Sequence, residues 1–260
     1  MNTLKKIMWG LAVLILLGTA AVIRFLPDTV PMHMDFEGNI DRWGSKYENL
    51  IFPVVIFGLA LFMHLFIRHF EKVAAKAKEE KVQKEALSNA KVLGIIGIAT
   101  MVAEGIVQGC MLYADYVSSP MDQKITGIDL GKAACILMGV FFLVLGNYMP
   151  KTRKNGIVGL RVSWSMYNDV TWSKSNRFGG ILIMIEGVVA ILAGLLFPNS
   201  FAAVMVTLGF GCFVTIASVL YAHRVYANEI RADEIRAEEK RAEKTQAEKT
   251  HTEKEMEGEK

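Results

Sequence analysis

Glu104, Gln108 and Asp115 share one face of an apolar run. At about 100° per residue, Gln108 lies about 40° and Asp115 about 20° around the helix from Glu104. Ionisable groups are rare in such runs because burying their charge is unfavourable. The stripe is therefore a proton or cation site, a cavity open to one surface, or an interhelical hydrogen-bond strip whose carboxyl is kept neutral by desolvation. Glu186 is a second acid in a comparable run. Glu104 and Glu186 together raise the reading of a proton- or cation-coupled carrier, although the chain shows no clear broken-helix repeats of the kind transporters use.

The other polar chemistry is gathered in two segments. Pro31 to Lys46 holds His33, Asp35, Asp41, Trp43 and Lys46, punctuated by Pro31, Gly38, Asn39 and Gly44, so it is neither one helix nor one strand. His33, Asp35 and Asp41 are metal-ligand types, yet turn structure explains Asp and Gly there more simply. Asn147 to Gly180 holds Asn155, Arg161, Trp164, Trp172 and Arg177, with Asn168 or Asp169 placed to cap a short helix. Its tryptophans suit the headgroup region and its cations suit lipid phosphates. A spacing of five does not put His64 and His69 on one face for a metal, so His64 reads as a packed or interfacial histidine. Cys110, Cys135 and Cys212 read as small apolar packing residues. With no His-Glu-x-x-His, nucleophile elbow, phosphate loop or cysteine ligand set, we expect no enzyme, no metal and no cofactor.

The elements that must position these residues follow from composition. Hydrophobic residues make up 52% of the 260, and mean hydropathy is +0.32. Apolar runs at about 7–25, 50–67, 92–113, 133–149, 181–197 and 201–222 each approach the roughly 20 residues that span a hydrocarbon core. The expected fold is all-α and integral to the membrane, with six transmembrane helices. Lys and Arg crowd the segments before the first run, between the second and third, between the fourth and fifth, and after the sixth, and are sparse in the others. Both termini are thus expected in the cytoplasm and residues 27–49 outside. The first run is longer than a signal-peptide core, so it is expected to be retained.

The expected organisation is an N-terminal two-helix membrane unit (1–67) with an extracellular loop at 27–49, a charged cytoplasmic linker (68–90), a four-helix membrane unit (91–223) with a cytoplasmic loop at 147–180, and a low-complexity cytoplasmic tail (224–260). The tail repeats every five residues from Glu229, in Glu-Ile-Arg-Ala-Asp fashion. Five steps advance about 140° beyond a full turn, so no apolar stripe forms and a solvated helical extension is expected. Gly105 and Gly109, and Gly180, Gly187 and Gly194, are spaced for close helix approach.

Two ordered sets of residues carry a family resemblance. The first is Pro31-x-His33, then Gly38, Asp41, Gly44-Ser45 and Lys46. The second is Gly146-Asn147, Asn155, Gly159-Leu-Arg161, Trp164, Trp172, Arg177 and Gly179-Gly180. In these the chain resembles the SdpI family of bacterial membrane immunity proteins against peptide toxins, including the uncharacterised membrane domain that often forms their N-terminal half. The likeness covers roughly residues 5 to 223. It departs at Ser163-Trp164-Ser165, where the family has Pro-Trp-Thr, and at Asn176-Arg177, where it has His-Arg.

The resemblance implies a multi-pass protein of the bacterial plasma membrane that protects its cell from a secreted peptide toxin and holds a transcriptional repressor at the membrane. In that picture His33, Asp35, Gly38, Asp41, Trp43 and Lys46 form an extracellular ligand surface. Asn147, Asn155, Arg161, Trp164, Trp172 and Arg177 form a cytoplasmic surface for a partner or for lipid, and Glu104, Gln108 and Glu186 are the intramembrane polar residues. No direct contact with nucleic acid is implied.

Overall fold

The computed structural model describes residues 2–35, 39–118, 129–155 and 157–258, with side chains to residue 246. Six helices carry the fold: α1 (Asn2–Val22), α2 (Ile51–Lys76), α3 (Glu80–Val117), α4 (Leu130–Tyr148), α5 (Asp169–Leu196) and α6 (Ser200–Gly258). All six are long and apolar enough to cross a bilayer. Large apolar side chains point outward from them, among them Leu14 and Leu17 on α1, Val54 and Val55 on α2, and Ile216 and Leu220 on α6. Such surfaces fail in water and suit contact with lipid tails. The chain is a multi-pass membrane protein.

Packing groups the helices three and three. α3 packs chiefly on α2 and α1, α5 packs on both α4 and α6, and α3 with α4 joins the groups. The first group shares a core of Met8, Ala12, Ile56, Ala60, Ile67, Ala90, Leu93 and Met101. Trp9 Nε1 donates to His64 Nδ1 at 3.1 Å, which makes His64 a packed histidine. In the second group, glycines bring backbones together. A Cβ on Gly139 would lie 2.5 Å from the Gly187 carbonyl oxygen, and one on Gly146 would lie 2.5 Å from that of Gly180. Gly194 continues the seam, where a Cβ would meet the Lys132 carbonyl at 2.7 Å. The seven-residue spacing on α5 therefore meets a matching pair on α4. The Gly105 and Gly109 pair behaves differently. A Cβ on Gly105 would press Ile15 at 3.1 Å, but one on Gly109 meets nothing within 4 Å, so Gly109 does not mark a close helix approach.

Three polar segments between the apolar runs take regular structure. Residues 29–34 and 40–45 pair as an antiparallel hairpin of strands β1 (Thr29–Met34) and β2 (Ile40–Ser45). An isolated two-stranded ribbon is marginal in water. Here Val30 and Leu26 are buried in a cluster with Ile23 and Leu112, flanked by Met32 and Leu50, which fastens the ribbon to the ends of α1 and α3. The 68–90 linker is taken up by the last turns of α2 and the first of α3, leaving a turn at 77–79. The 147–180 loop ends at Asn168, whose side chain accepts from Thr171 N while Thr171 Oγ1 accepts from Asn168 N. That capping box starts the whole of α5, not a short separate helix.

Candidate functional site

Asp115 near the end of α3 and Asn89 near its beginning mark two polar sites at opposite ends of the molecule, about 40 Å apart along the helix. The hairpin stands at the Asp115 end. His33 Nδ1 lies 2.6 Å from Asp41 Oδ1, with both side chains exposed. The ladder is irregular on both sides of His33, so the imidazole and the carboxylate of the facing strand meet away from strict register. Asp35 accepts from the Asn39 backbone N at 2.8 Å and from its Nδ2 at 2.7 Å, a local closure. Trp43 is half-buried opposite Pro31. Lys46 is drawn inward: its Nζ donates to the Leu26 carbonyl at 3.3 Å and pairs with Asp28 at 2.9 Å. Gly38, named with these residues, lies outside the described residues.

Behind the hairpin, Ser45 and Glu48 form a capping box over the turn 46–50. Glu48 also pairs with Arg42. A Cβ on Gly44 would lie 2.3 Å from Glu48 Oε1, so only glycine lets that carboxylate in. The turn ends on Asn49, which is buried and donates from Nδ2 to Asp115 Oδ2 at 2.7 Å. Gln108 Nε2 donates to the Asn49 carbonyl at 3.3 Å. Gln108 and Asp115 thus act through one partner, as their shared helix face predicts. The partner, Asn49, was not legible, because it lies 66 residues from Asp115 in the chain.

Glu104 does not join this group and is only half-buried. Glu186 on α5 is buried against α6, with Gly211 beside its Oε1, and its Oε2 has no hydrogen-bond partner among the described residues. Each acid is a separate feature, Glu104 on the first helix group and Glu186 within the second.

At the other end, residues 151–155 and 157–168 are bound into a compact clamp. Asn155 is its centre. Its Nδ2 donates to the carbonyls of Arg153 (2.7 Å) and Val158 (3.1 Å), and its Oδ1 accepts from the backbone N of Ile157 (2.7 Å) and Val158 (2.9 Å). Gly159 has φ +124°, a left-handed value, and a Cβ there would strike Asn176 Oδ1 at 2.4 Å. That same oxygen accepts from Leu160 N at 2.8 Å. Trp172 Nε1 donates to the Thr152 carbonyl at 3.0 Å. Asn155 and Trp172, expected on a surface for a partner or lipid, are instead buried and hold the clamp shut. Asn147, Arg161 and Arg177 are exposed; Asn147 accepts from Lys151 Nζ at 3.3 Å.

The clamp reaches both helix groups. Asn89 of α3 accepts from Arg153 N at 2.9 Å, Ser88 donates to the Lys151 carbonyl, and Ile157 and Val158 pack on the first core. On α6, His223 meets half-buried Trp164 edge to face at 4.7 Å, and Tyr226 meets Tyr167 at 5.1 Å. Tyr167 also donates to Asp233 Oδ2 at 3.1 Å, a bond that raises the phenol's pKa. Asn89, Thr171 and His223 were not singled out in the sequence, whereas Asn155, Gly159, Trp164 and Trp172 lie in the recognised pattern and Ser165 and Asn176 lie where the chain departs from it.

The comparisons divide along the same lines. Residues 10–57 match a domain of unknown function, DUF1648, and residues 151–222 match the SdpI/YfhL protein family. The first match takes in most of α1, the hairpin and the start of α2; the second takes in the clamp, α5 and the spanning part of α6. The chain is 22% identical over 173 residues to the immunity protein SdpI of Bacillus subtilis (strain 168), covering 65% of this chain and 72% of that protein. No solved structure matches. The chain is accordingly a bacterial multi-pass membrane protein whose residues 10–57 match the DUF1648 domain and whose residues 151–222 match the SdpI/YfhL protein family.

Proposed function

We propose that this is an immunity protein that binds a secreted antimicrobial peptide at its hairpin end and thereby protects its own cell. The observation that carries the reading is the ordered pair of family matches, together with the similarity to an immunity protein across most of both chains. Charge distribution supports a hairpin outside and both termini inside, since the clamp end gathers Arg68, Lys72, Lys151, Arg153 and Lys154. His33, Asp35, Asp41 and Trp43 then face a peptide with basic and apolar groups, with Lys46 holding the hairpin to α1's end. On the cytoplasmic side, exposed Arg161, Arg177 and Asn147 beside the clamp are the surface for a transcriptional repressor. α3 spans both sites and is the element through which peptide occupancy would bias the clamp.

The test is expression in a bacterium sensitive to a panel of peptide toxins. The expected outcome is a raised killing threshold that His33→Ala and Asp41→Ala reduce without lowering the protein's abundance. Unchanged killing across the panel would refute the reading. A second reading, a proton- or cation-coupled carrier, is favoured by one observation, the buried Glu186 Oε2, which has no hydrogen-bond partner among the described residues. It requires ion flux into proteoliposomes that Glu186→Gln abolishes.

A further inference from the structure

Asp115 lies just beyond the apolar run of α3 and is 4% exposed. Among the described residues its carboxyl receives one hydrogen bond, from Asn49 Nδ2 at 2.7 Å. The charges on the elements around it are partnered or turned away. On the turn, Lys46 is held by Asp28 and the Leu26 carbonyl, Glu48 is held by Arg42, and Tyr47 is exposed. On the hairpin, His33 meets Asp41 and Asp35 meets Asn39. Arg24 at the end of α1 is exposed, and Asp129 before α4 accepts from Lys132 N. Tyr113 and Tyr116, on α3 itself, are exposed. A carboxylate ionised in this place would lose its hydration without gaining a cation among the described residues, which is unfavourable.

Asn49 has the complementary shortfall. Its Nδ2 donates both to Asp115 and to the Lys46 carbonyl at 3.3 Å. Those two acceptors fix the amide's orientation, since a turned amide would set Oδ1 against both. Oδ1 itself has no hydrogen-bond partner among the described residues and is covered from water. Covered so closely, it leaves no room for a bridging water, which needs a cavity of its own. A proton needs no room. A carboxylate only accepts, whereas a carboxylic acid also donates. Protonation of Asp115 therefore supplies the donor that Asn49 Oδ1 lacks and removes the uncompensated charge in one step.

We propose that Asp115 holds a proton and donates through it to Asn49 Oδ1, closing a reciprocal acid-amide pair that positions the hairpin on α3. Asn49 is the joint between the two. Its carbonyl accepts from Gln108 Nε2 on α3, and its amide holds the carbonyl of Lys46, whose ammonium ties the hairpin's root to Leu26 and Asp28. This rests on the immunity reading, in which the hairpin is the peptide's surface, and adds a positioning residue to it. As pH rises the proton passes to solvent, the donor becomes an acceptor facing an acceptor, and the hairpin's root loosens.

The experiment uses the full-length protein in phosphatidylcholine vesicles. Infrared difference spectra recorded as pH is raised are expected to show loss of a protonated-carboxyl band that is missing from Asp115→Asn and kept in Glu104→Gln and Glu186→Gln. Spin labels on Thr29→Cys and Tyr116→Cys, in a cysteine-free background, read how the hairpin sits on α3. Their distance distribution is expected to be narrow at low pH and to broaden over the range in which the band disappears. Asp115→Asn forms the same reciprocal pair without a titrating proton, so its distribution should stay narrow at every pH; that of Asp115→Leu should be broad at every pH. A role in packing alone predicts no such split. Should Asp115→Leu fail to accumulate, Asp115→Asn carries the test, and a broad distribution there overturns the proposal. So does the absence of an Asp115 band at any pH, and so does a distance that ignores the band's titration. Toxin challenge separates this inference from the immunity reading. Protection reduced by Asp115→Leu and kept by Asp115→Asn is expected, and protection that survives Asp115→Leu overturns the positioning role. No protection from the unaltered protein sinks the immunity reading and leaves the infrared and distance results to decide the pair.

Discussion

Asn155 makes four hydrogen bonds to the backbone of Arg153, Ile157 and Val158, and no other side chain of similar size supplies two donors and two acceptors in that arrangement. Asn155→Ala is expected to destabilise the clamp by about 2–3 kcal/mol, because buried backbone groups lose their partners. Faster proteolysis between residues 151 and 168, with little change in helix content, would register it. Gly159→Ala meets both a left-handed backbone and the Asn176 oxygen, and should cost more than Asn155→Asp, which keeps the two acceptor roles. The Tyr167 latch to Asp233 has a pH signature. The folded phenol's pKa is raised, so the latch is intact at neutral pH and is lost as alkali ionises the phenol. Cross-linking between the clamp and α6 should fall off with rising pH in the unaltered protein and be weak at every pH in Tyr167→Phe. At this scale the sequence was partly legible. Asn155, Gly159 and Trp172 stood out as a pattern, but a pattern of residue types does not say which way they point, and here they point inward.

The α4/α5 seam shows why spacing reads better than partnership. Gly180, Gly187 and Gly194 announce a close approach by their repeat of seven, yet nothing local to them names Gly139 and Gly146 as the opposite wall. Gly187→Leu is expected to force the helices apart, with overpacking worth about 1–3 kcal/mol or more; a lower midpoint in thermal unfolding would measure it. Gly109→Leu, four residues from Gly105, should leave that midpoint unchanged. Helix ends were the least legible elements. Polar composition marked residues 68–90 as a linker and a cap at Asn168 or Asp169 as the start of a short helix, but not that these stretches continue the spanning helices, since charged side chains are at home on helices that leave the bilayer, where capping and backbone bonding decide the outcome. The hairpin was legible only as turns, since its pairing depends on burial of Val30 and Leu26 beneath it.

For the whole molecule, apolar run length made six spans legible, because lipid imposes that length on every crossing. The grouping of helices was not, since packing partners in lipid are chosen by small residues and shape. In a cysteine-free background, His33→Cys is expected to react with an impermeant thiol reagent on intact cells, and Lys154→Cys only after lysis. Truncation after Asn228 removes Glu229 and Asp233 from their pairs with Lys174 and Tyr167, and should expose the clamp to protease; truncation after Arg241 should not. α6 runs unbroken for 59 residues, about 88 Å, of which the hydrocarbon core takes about 30 Å. The remainder is a lever. A tilt of about 5° in the spanning portion moves the far tip by about 5 Å, so a displacement too small to reshape the membrane helices becomes, at the end of the tail, a distance comparable to a helix turn.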